Sequence, residues 1–153
     1  MPDTYTQINI HVVFVVSKRE NVLLPHFKTR LCEYLHGILK KHKHFPLAVN
    51  GYYDHVHVFF EMNPSQALSD IVRDLKSVSS KWINDNKFLP GNFRWQDGYG
   101  GFSYSRSQRD GVIKYIMSQE EHHRKITFRE EYLKMLKSFD IAFKEQYLFA
   151  FFE

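Results

Sequence analysis

The sequence predicts an α+β fold of the ferredoxin-like (RRM-like) type, an antiparallel sheet with helices on one face and an added helix behind its last strand. Three observations carry that prediction. Segments rich in β-branched and aromatic residues alternate with segments of helical hydrophobic spacing, in the order strand, helix, strand, strand, helix, strand, which is the split βαβ pattern. A chain of 153 residues with 43% hydrophobic content can bury one core and is short for two. Charged residues make up 25% and glycine and proline are few, so neither disorder nor a fibrous repeat fits. One domain over residues 1–153 is expected.

Residues 5–16 are dense in Ile, Val, Phe and Thr and read as a central strand ending at Ser17-Lys18-Arg19-Glu20. From 25 to about 43, Leu31, Leu35, Ile38 and Leu39 recur at helical spacing; Pro25 suits the first turn, and lysines crowd the last. Segments 45–53 and 54–61 have apolar and aromatic content with little helical character, and read as a hairpin turning near Tyr53-Asp54. Pro64 opens a second helix, with Leu68, Ile71, Val72, Leu75, Val78 and Trp82 along one face, closing near Leu89-Pro90-Gly91. Residues 93–104, broken at Gly98, Gly100 and Gly101, read as a last strand interrupted by a turn. A helix over about 108–123 follows, then a short amphipathic helix over 128–139. The aromatic tail Tyr147-Leu148-Phe149-Ala150-Phe151-Phe152 would be costly to leave in water.

Lys and Arg number 21 against 17 Asp and Glu, a formal charge of +4 that favours a polyanionic partner without identifying one. Cys32 is the only cysteine, which excludes an internal disulfide and a cysteine-based zinc knuckle and fits a reducing cytoplasm. The apolar run from Ile10 to Val16 is too short to cross a bilayer, and the N-terminus lacks the basic start and long apolar run of a signal peptide. No membrane association is expected.

His55 and His57 stand two apart in a strand, so their imidazoles leave one face of the sheet while Val56 and Val58 leave the other. A rigid strand fixes the bite between two nitrogen donors, and with an oxygen ligand added such a pair suits Mg²⁺, Mn²⁺ or Zn²⁺. The spacing alone fits a structural pair equally well; the metal reading needs a third ligand and a reacting group. Both have candidates on the helix over 108–123, where Tyr115, Gln119 and His122 share one face and Val112, Ile113 and Ile116 form the packed one. Tyr104 also has a glutamine four residues on, Gln108, so spacing does not choose between the two tyrosines. In an extended strand four residues span roughly 13 Å and would separate that pair, whereas a helix brings Tyr115 and Gln119 together. Tyr115 is therefore favoured, and Tyr104 is left to sheet packing or a DNA contact.

Three ordered segments, Asp54-His55-Val56-His57-Val58-Phe59, Trp95-Gln96-Asp97-Gly98-Tyr99-Gly100-Gly101-Phe102-Ser103 and Tyr115-Ile116-Met117-Ser118-Gln119-Glu120-Glu121-His122-His123, resemble the single-tyrosine transposases of the HUH superfamily. Those enzymes move small insertion sequences as single-stranded DNA. The strand end Phe14-Val15-Val16-Ser17-Lys18-Arg19 is similar too, so the likeness runs over about residues 5–130. The resemblance implies that His55, His57 and Gln119 hold a divalent metal, Mg²⁺ or Mn²⁺. It implies that Tyr115, carried on the added helix, is the nucleophile, attacking a DNA phosphate to leave a 5′-phosphotyrosine and a free 3′-hydroxyl. A phenol of pKa near ~10 needs a metal or a basic neighbour to act so. The implied partners are single-stranded DNA with hairpin ends and a second copy of the chain, in a homodimer whose sites are completed in trans.

Phosphate neutralisation would fall to Lys18, Arg19, Arg73, Lys76, Lys81, Arg94 and Arg106, while Trp95, Tyr99 and Phe102 could stack on bases or fill the core. The run Lys40-Lys41-His42-Lys43-His44 reads as a solvated helix end. His122 and His123 stand as residues that could assist the metal or a proton transfer. Two competing readings share these residues: a non-catalytic ferredoxin-like nucleic-acid-binding module with structural histidines, and relaxase or replication-initiator chemistry, against which the short length argues.

Overall fold

The computed structural model describes residues 2–17 and 21–150. Lys18 and Arg19, expected to meet phosphate, and Phe151 and Phe152 of the aromatic tail lie outside the described residues. Four strands, β1 (Asn9–Val15), β2 (Phe45–Gly51), β3 (His55–Glu61) and β4 (Gly100–Tyr104), form one sheet in the order β2-β3-β1-β4, every pair antiparallel. The helices are α1 (Pro25–Lys41), α2 (Leu68–Asp85), α3 (Arg109–Met117), the single turn α4 (Gln119–His122) and α5 (Phe128–Ser138). This is the expected ferredoxin-like order. β1 is paired along both edges, so only β2 or β4 could extend the sheet into a second copy.

The strands alternate cleanly. Val12, Phe14 and Val16 at the first strand and Val56, Val58 and Phe60 of β3 face α1 and α2, where Leu31, Leu35, Leu39, Ile71, Val72 and Leu75 close an apolar layer. Trp95 belongs to this layer rather than to a stacking surface: it is 6% exposed, meets Phe14 edge on at 4.7 Å, and its indole N–H donates to Ser79 Oγ at 3.0 Å. Phe102 is likewise buried, but on the opposite face under α5.

That opposite face is covered by α3 and α5. Val112 and Ile116 of α3 pack on Ala48 and Phe59, and Asn50 Nδ2 donates to the Ile116 carbonyl at 2.9 Å, tying α3 to β2. Phe128, Tyr132, Met135 and Leu136 of α5 pack on Val13, Val15 and Phe102. Thr127 caps α5 by accepting from the Glu130 N–H at 3.1 Å. Tyr132 lies so close over β4 that a Cβ at Gly100 would come within 2.7 Å of its ring, which explains a glycine there.

The first strand starts at Asn9 rather than residue 5 and the second helix ends at Asp85 rather than near Leu89; three further differences have a local reason. The second helix begins at Leu68 rather than Pro64, because Asn63 Oδ1 accepts from the Ser65 N–H at 3.0 Å and holds a turn first. The last strand is confined to β4; Trp95 makes only an isolated bridge to Val16, and Lys76 Nζ clamps the turn between them by donating to the carbonyls of Gln96 and Gly98 at 2.8 and 2.6 Å. The helix expected over 108–123 breaks at Ser118, whose hydroxyl turns back onto the Lys114 carbonyl at 2.9 Å. Among the described residues no helix is long and apolar enough to cross a membrane.

Candidate active site

His55 and His57 stand side by side at the start of β3, both 0% exposed, on the face covered by α3 and α5. Each ring is held from behind by its Nδ1. His55 Nδ1 lies 2.7 Å from Asp54 Oδ1, and His57 Nδ1 lies 2.8 Å from Nε2 of His11, a fully buried histidine on β1 that stacks on it. Both Nε2 atoms therefore aim forward, where they converge on the Glu131 carboxylate at 3.5 and 3.2 Å. Gln119 completes this inner shell, with Oε1 3.1 Å from His55 Nε2 and Nε2 donating to Glu131 Oε2 at 3.3 Å. Phe128 stacks flat on His55, ring centroids 3.8 Å apart, and seals the pair from above.

The Tyr115 hydroxyl donates to Glu131 Oε2, and its ring lies 5.9 Å from that of His57. His122 Nε2 reaches the same carboxylate oxygen at 3.0 Å, and His123 Nε2 lies 3.0 Å from Gln119 Oε1. The fold thus brings together His55, His57, Tyr115 and Gln119, the residues the sequence singled out. The break at Ser118 does not part Tyr115 from Gln119; it turns Gln119 inward to complete burial.

Glu131, the hub of the cluster, escaped the sequence reading. Beside Thr127 and Glu130 it reads as one more acid in a capped first turn. Helical spacing held the signal: Phe128, Glu131, Tyr132, Met135 and Leu136 form one buried stripe, and a carboxylate within such a stripe is unusual. His11 left a similar trace, a lone imidazole among the valines of β1.

Burial of a carboxylate is costly unless opposite charge meets it. Burial alone would raise the Glu131 carboxyl, but His57, His123 and His55 overcome it and hold the group ionised, well below the usual carboxylate range. His55 is likewise pushed against its burial up to about 9 by Asp54 and Glu131. For His57 burial prevails and its pKa is lowered despite Glu131. Burial, then the Glu131 charge, raises the Tyr115 phenol, so it rests protonated.

A divalent cation fits these donors. One ligand atom each from His55, His57 and Glu131 lies within 4.8 Å of the others, and Gln119 adds an amide oxygen. Two imidazoles and a carboxylate suit Mn²⁺ or Zn²⁺, and Mg²⁺ less closely. The fixed Nδ1 partners, Asp54 and His11, are what such ligands need to present Nε2.

The residues expected to meet phosphate are more scattered. Arg73 and Lys76 sit on α2, across the sheet from the histidines; Arg73 pairs with Asp70 and Asp74, and Lys76 is bound to two carbonyls. Lys81, also on α2, pairs with Asp85 at 2.7 Å. Arg94 and Arg106 are exposed, Arg106 in the turn that enters α3.

Comparison with known proteins bears on the same span. The family model described as "Transposase IS200 like" matches residues 4–119. The chain is 27% identical over 121 residues to the ISDra2 transposase TnpA of Deinococcus radiodurans, covering 75% of this chain and 86% of that protein. Its fold is similar to a crystal structure from Deinococcus radiodurans R1 described as a transposase, with TM-score 0.62 and 21% identity over 78% of this chain and 95% of that one. It is similar also to a REP-associated tyrosine transposase bound to a REP hairpin, with TM-score 0.57 and 14% identity over 80% and 73%. The matched family span contains His55, His57, Tyr115 and Gln119 and ends before α5.

Proposed function

The chain belongs to the IS200-like transposase family, and from that premise we propose that it cuts and rejoins single-stranded DNA at insertion-sequence ends, with Tyr115 as the attacking residue. The observation that carries this reading is the convergence, in one chain, of the Tyr115 hydroxyl, the forward-facing Nε2 atoms of His55 and His57, and the Glu131 carboxylate.

The attack needs a phenol to lose its proton as its oxygen meets phosphorus. Glu131 Oε2 already accepts the Tyr115 hydrogen bond, so the carboxylate stands where that proton goes. As the bond from Tyr115 oxygen to phosphorus forms, the bond from phosphorus to the 3′-oxygen breaks, leaving a 5′-phosphotyrosine and a free 3′-hydroxyl. The phosphodiester energy is kept in the phosphotyrosine, and attack by a 3′-hydroxyl reverses the step. His122, touching Glu131 and partly open to solvent, offers the proton a way out. His55, His57 and Glu131, with Gln119 alongside, would hold a divalent cation, Mg²⁺ or Mn²⁺, which would supply Lewis-acid polarisation of the scissile phosphate. Asp54 and His11 keep the two imidazoles aimed.

The partner in this reading is single-stranded DNA with hairpin ends, in keeping with the hairpin bound by the REP-associated relative. Arg94 and Arg106 are the exposed cations proposed for the flanking strand, and Arg73 and Lys76 would have to leave their present partners to serve. A second copy of the chain, in a homodimer whose sites are completed in trans, belongs to this reading, and exchange of tyrosines between copies would require α3 to leave the Ala48–Phe59 surface. The test is Tyr115→Phe with single-stranded hairpin oligonucleotides taken from the flanks of the chain's own gene. DNA binding persists and the covalent adduct disappears; an undiminished adduct removes Tyr115 from the role.

A further inference from the structure

Beside Tyr115 the site opens into a groove of about 620 Å³ between the end of β4, α3 and α5, and the chemistry above uses only its inner end. Volumes of this order hold a single ligand of nucleotide size. The groove is lined by two aromatic rings, Tyr104 and Phe139, which meet edge on with centroids 5.4 Å apart. Two polar side chains on its lining have unspent capacity. Gln108 accepts from the Ser105 N–H at 2.9 Å through its amide oxygen, while its amide N–H donors have no partner among the described residues. Lys134 has no ion-pair partner among the described residues, whereas Arg109 and Arg129 are matched by Glu61 and Glu145.

Aromatic rings on the wall, a free amide donor and an unmatched ammonium beside the attacking hydroxyl are the complement of a base, a base-edge acceptor and a phosphate. We propose that this groove seats the nucleotide next to the scissile phosphate, its base against Phe139 and Tyr104 and its further phosphate at Lys134. The inference rests on the strand-cutting reading and adds to it the contact that selects which nucleotide lies beside the cut. Lys134 and Phe139 come from α5 and its end, beyond residues 4–119, so this half of the seat is supplied by a part of the chain that the family match does not cover.

The experiment separates seating from cutting by working in the Tyr115→Phe background with EDTA, where no cleavage occurs. The probe is a fluorescein-labelled single-stranded 12-mer of random sequence carrying one 5-iododeoxyuridine. Lys134→Ala and Phe139→Leu each weaken binding by roughly 5- to 50-fold, and Lys134→Ala lowers the slope of log affinity against log salt by about 0.7. Ultraviolet cross-links map to Tyr104 or Phe139. Lys40→Ala, on α1 across the sheet, changes affinity less than Lys134→Ala does, and thermal melts verify that each variant folds. Binding within twofold of the parent for both groove variants, or cross-links elsewhere, overturns the seat even if the wild type forms an adduct. Loss of binding in both variants alongside a wild type that forms no adduct supports the groove as a nucleotide seat but overturns the cutting reading, and with it the place beside a scissile phosphate.

Discussion

Along β3, Val56, Val58 and Phe60 face α1 and α2, while His55, His57 and Phe59, one residue out of step, face α3 and α5. The first face buries hydrocarbon almost throughout, Phe14 with Trp95 and the leucines of α1, with Ser79 accepting the indole N–H, and each buried aliphatic side chain there contributes about 1.5–3 kcal/mol. The second buries His11, His55, His57, Gln119 and Glu131, all at most 2% exposed. Buried ionic clusters of that kind contribute little net stability and often less than hydrocarbon of the same volume. The chemistry is thus confined to one face of the sheet: α1 and α2 bury hydrocarbon against the other, while α3 and α5, beside apolar packing of their own, aim polar groups at one point.

If the division holds, substitutions on the two faces separate activity from stability. The largest effect is expected from Glu131→Gln, which keeps the shape of the side chain but cannot take the phenolic proton. Adduct formation on hairpin DNA slows by about 10²–10⁴-fold in a quenched time course; a rate within twofold of wild type would break the assignment of Glu131. Next is Leu35→Ala on α1, which lowers the free energy of unfolding in urea by about 2–5 kcal/mol while leaving Mn²⁺ affinity of the folded protein unchanged. Loss of metal affinity there would show that the faces are not independent. The smallest is His11→Phe, which weakens Mn²⁺ binding by roughly 10- to 100-fold, measured by titration followed by electron paramagnetic resonance, because His57 loses the partner that fixes its ring. Its melting temperature stays near that of wild type, since the His11 Nδ1 it removes is buried with no partner among the described residues.

What the sequence made legible follows the same division. The apolar face is a matter of local period, two in the strands and 3.6 in α1 and α2, and the residues that close it were named from spacing alone. On the other face, His55, His57, Tyr115 and Gln119 were legible through motif resemblance, because each sits within a contiguous segment. Glu131 meets His57 across 74 positions of sequence, through packing of α5 on β1 and β4 that no local pattern encodes. Trp95 and Lys76 were ambiguous for the converse reason: an indole or an ammonium serves a core or a loop as well as DNA, and only Ser79 and the carbonyls of Gln96 and Gly98 decide it.

The place of Glu131 at the hub of the site is tested most directly by a crystal structure grown with Mn²⁺ and phased to locate the metal by its anomalous signal. One ion is expected between Nε2 of His55, Nε2 of His57 and the Glu131 carboxylate, with a Tyr115 hydroxyl beside it. An ion elsewhere, or one that leaves Glu131 unbound, would contradict that place.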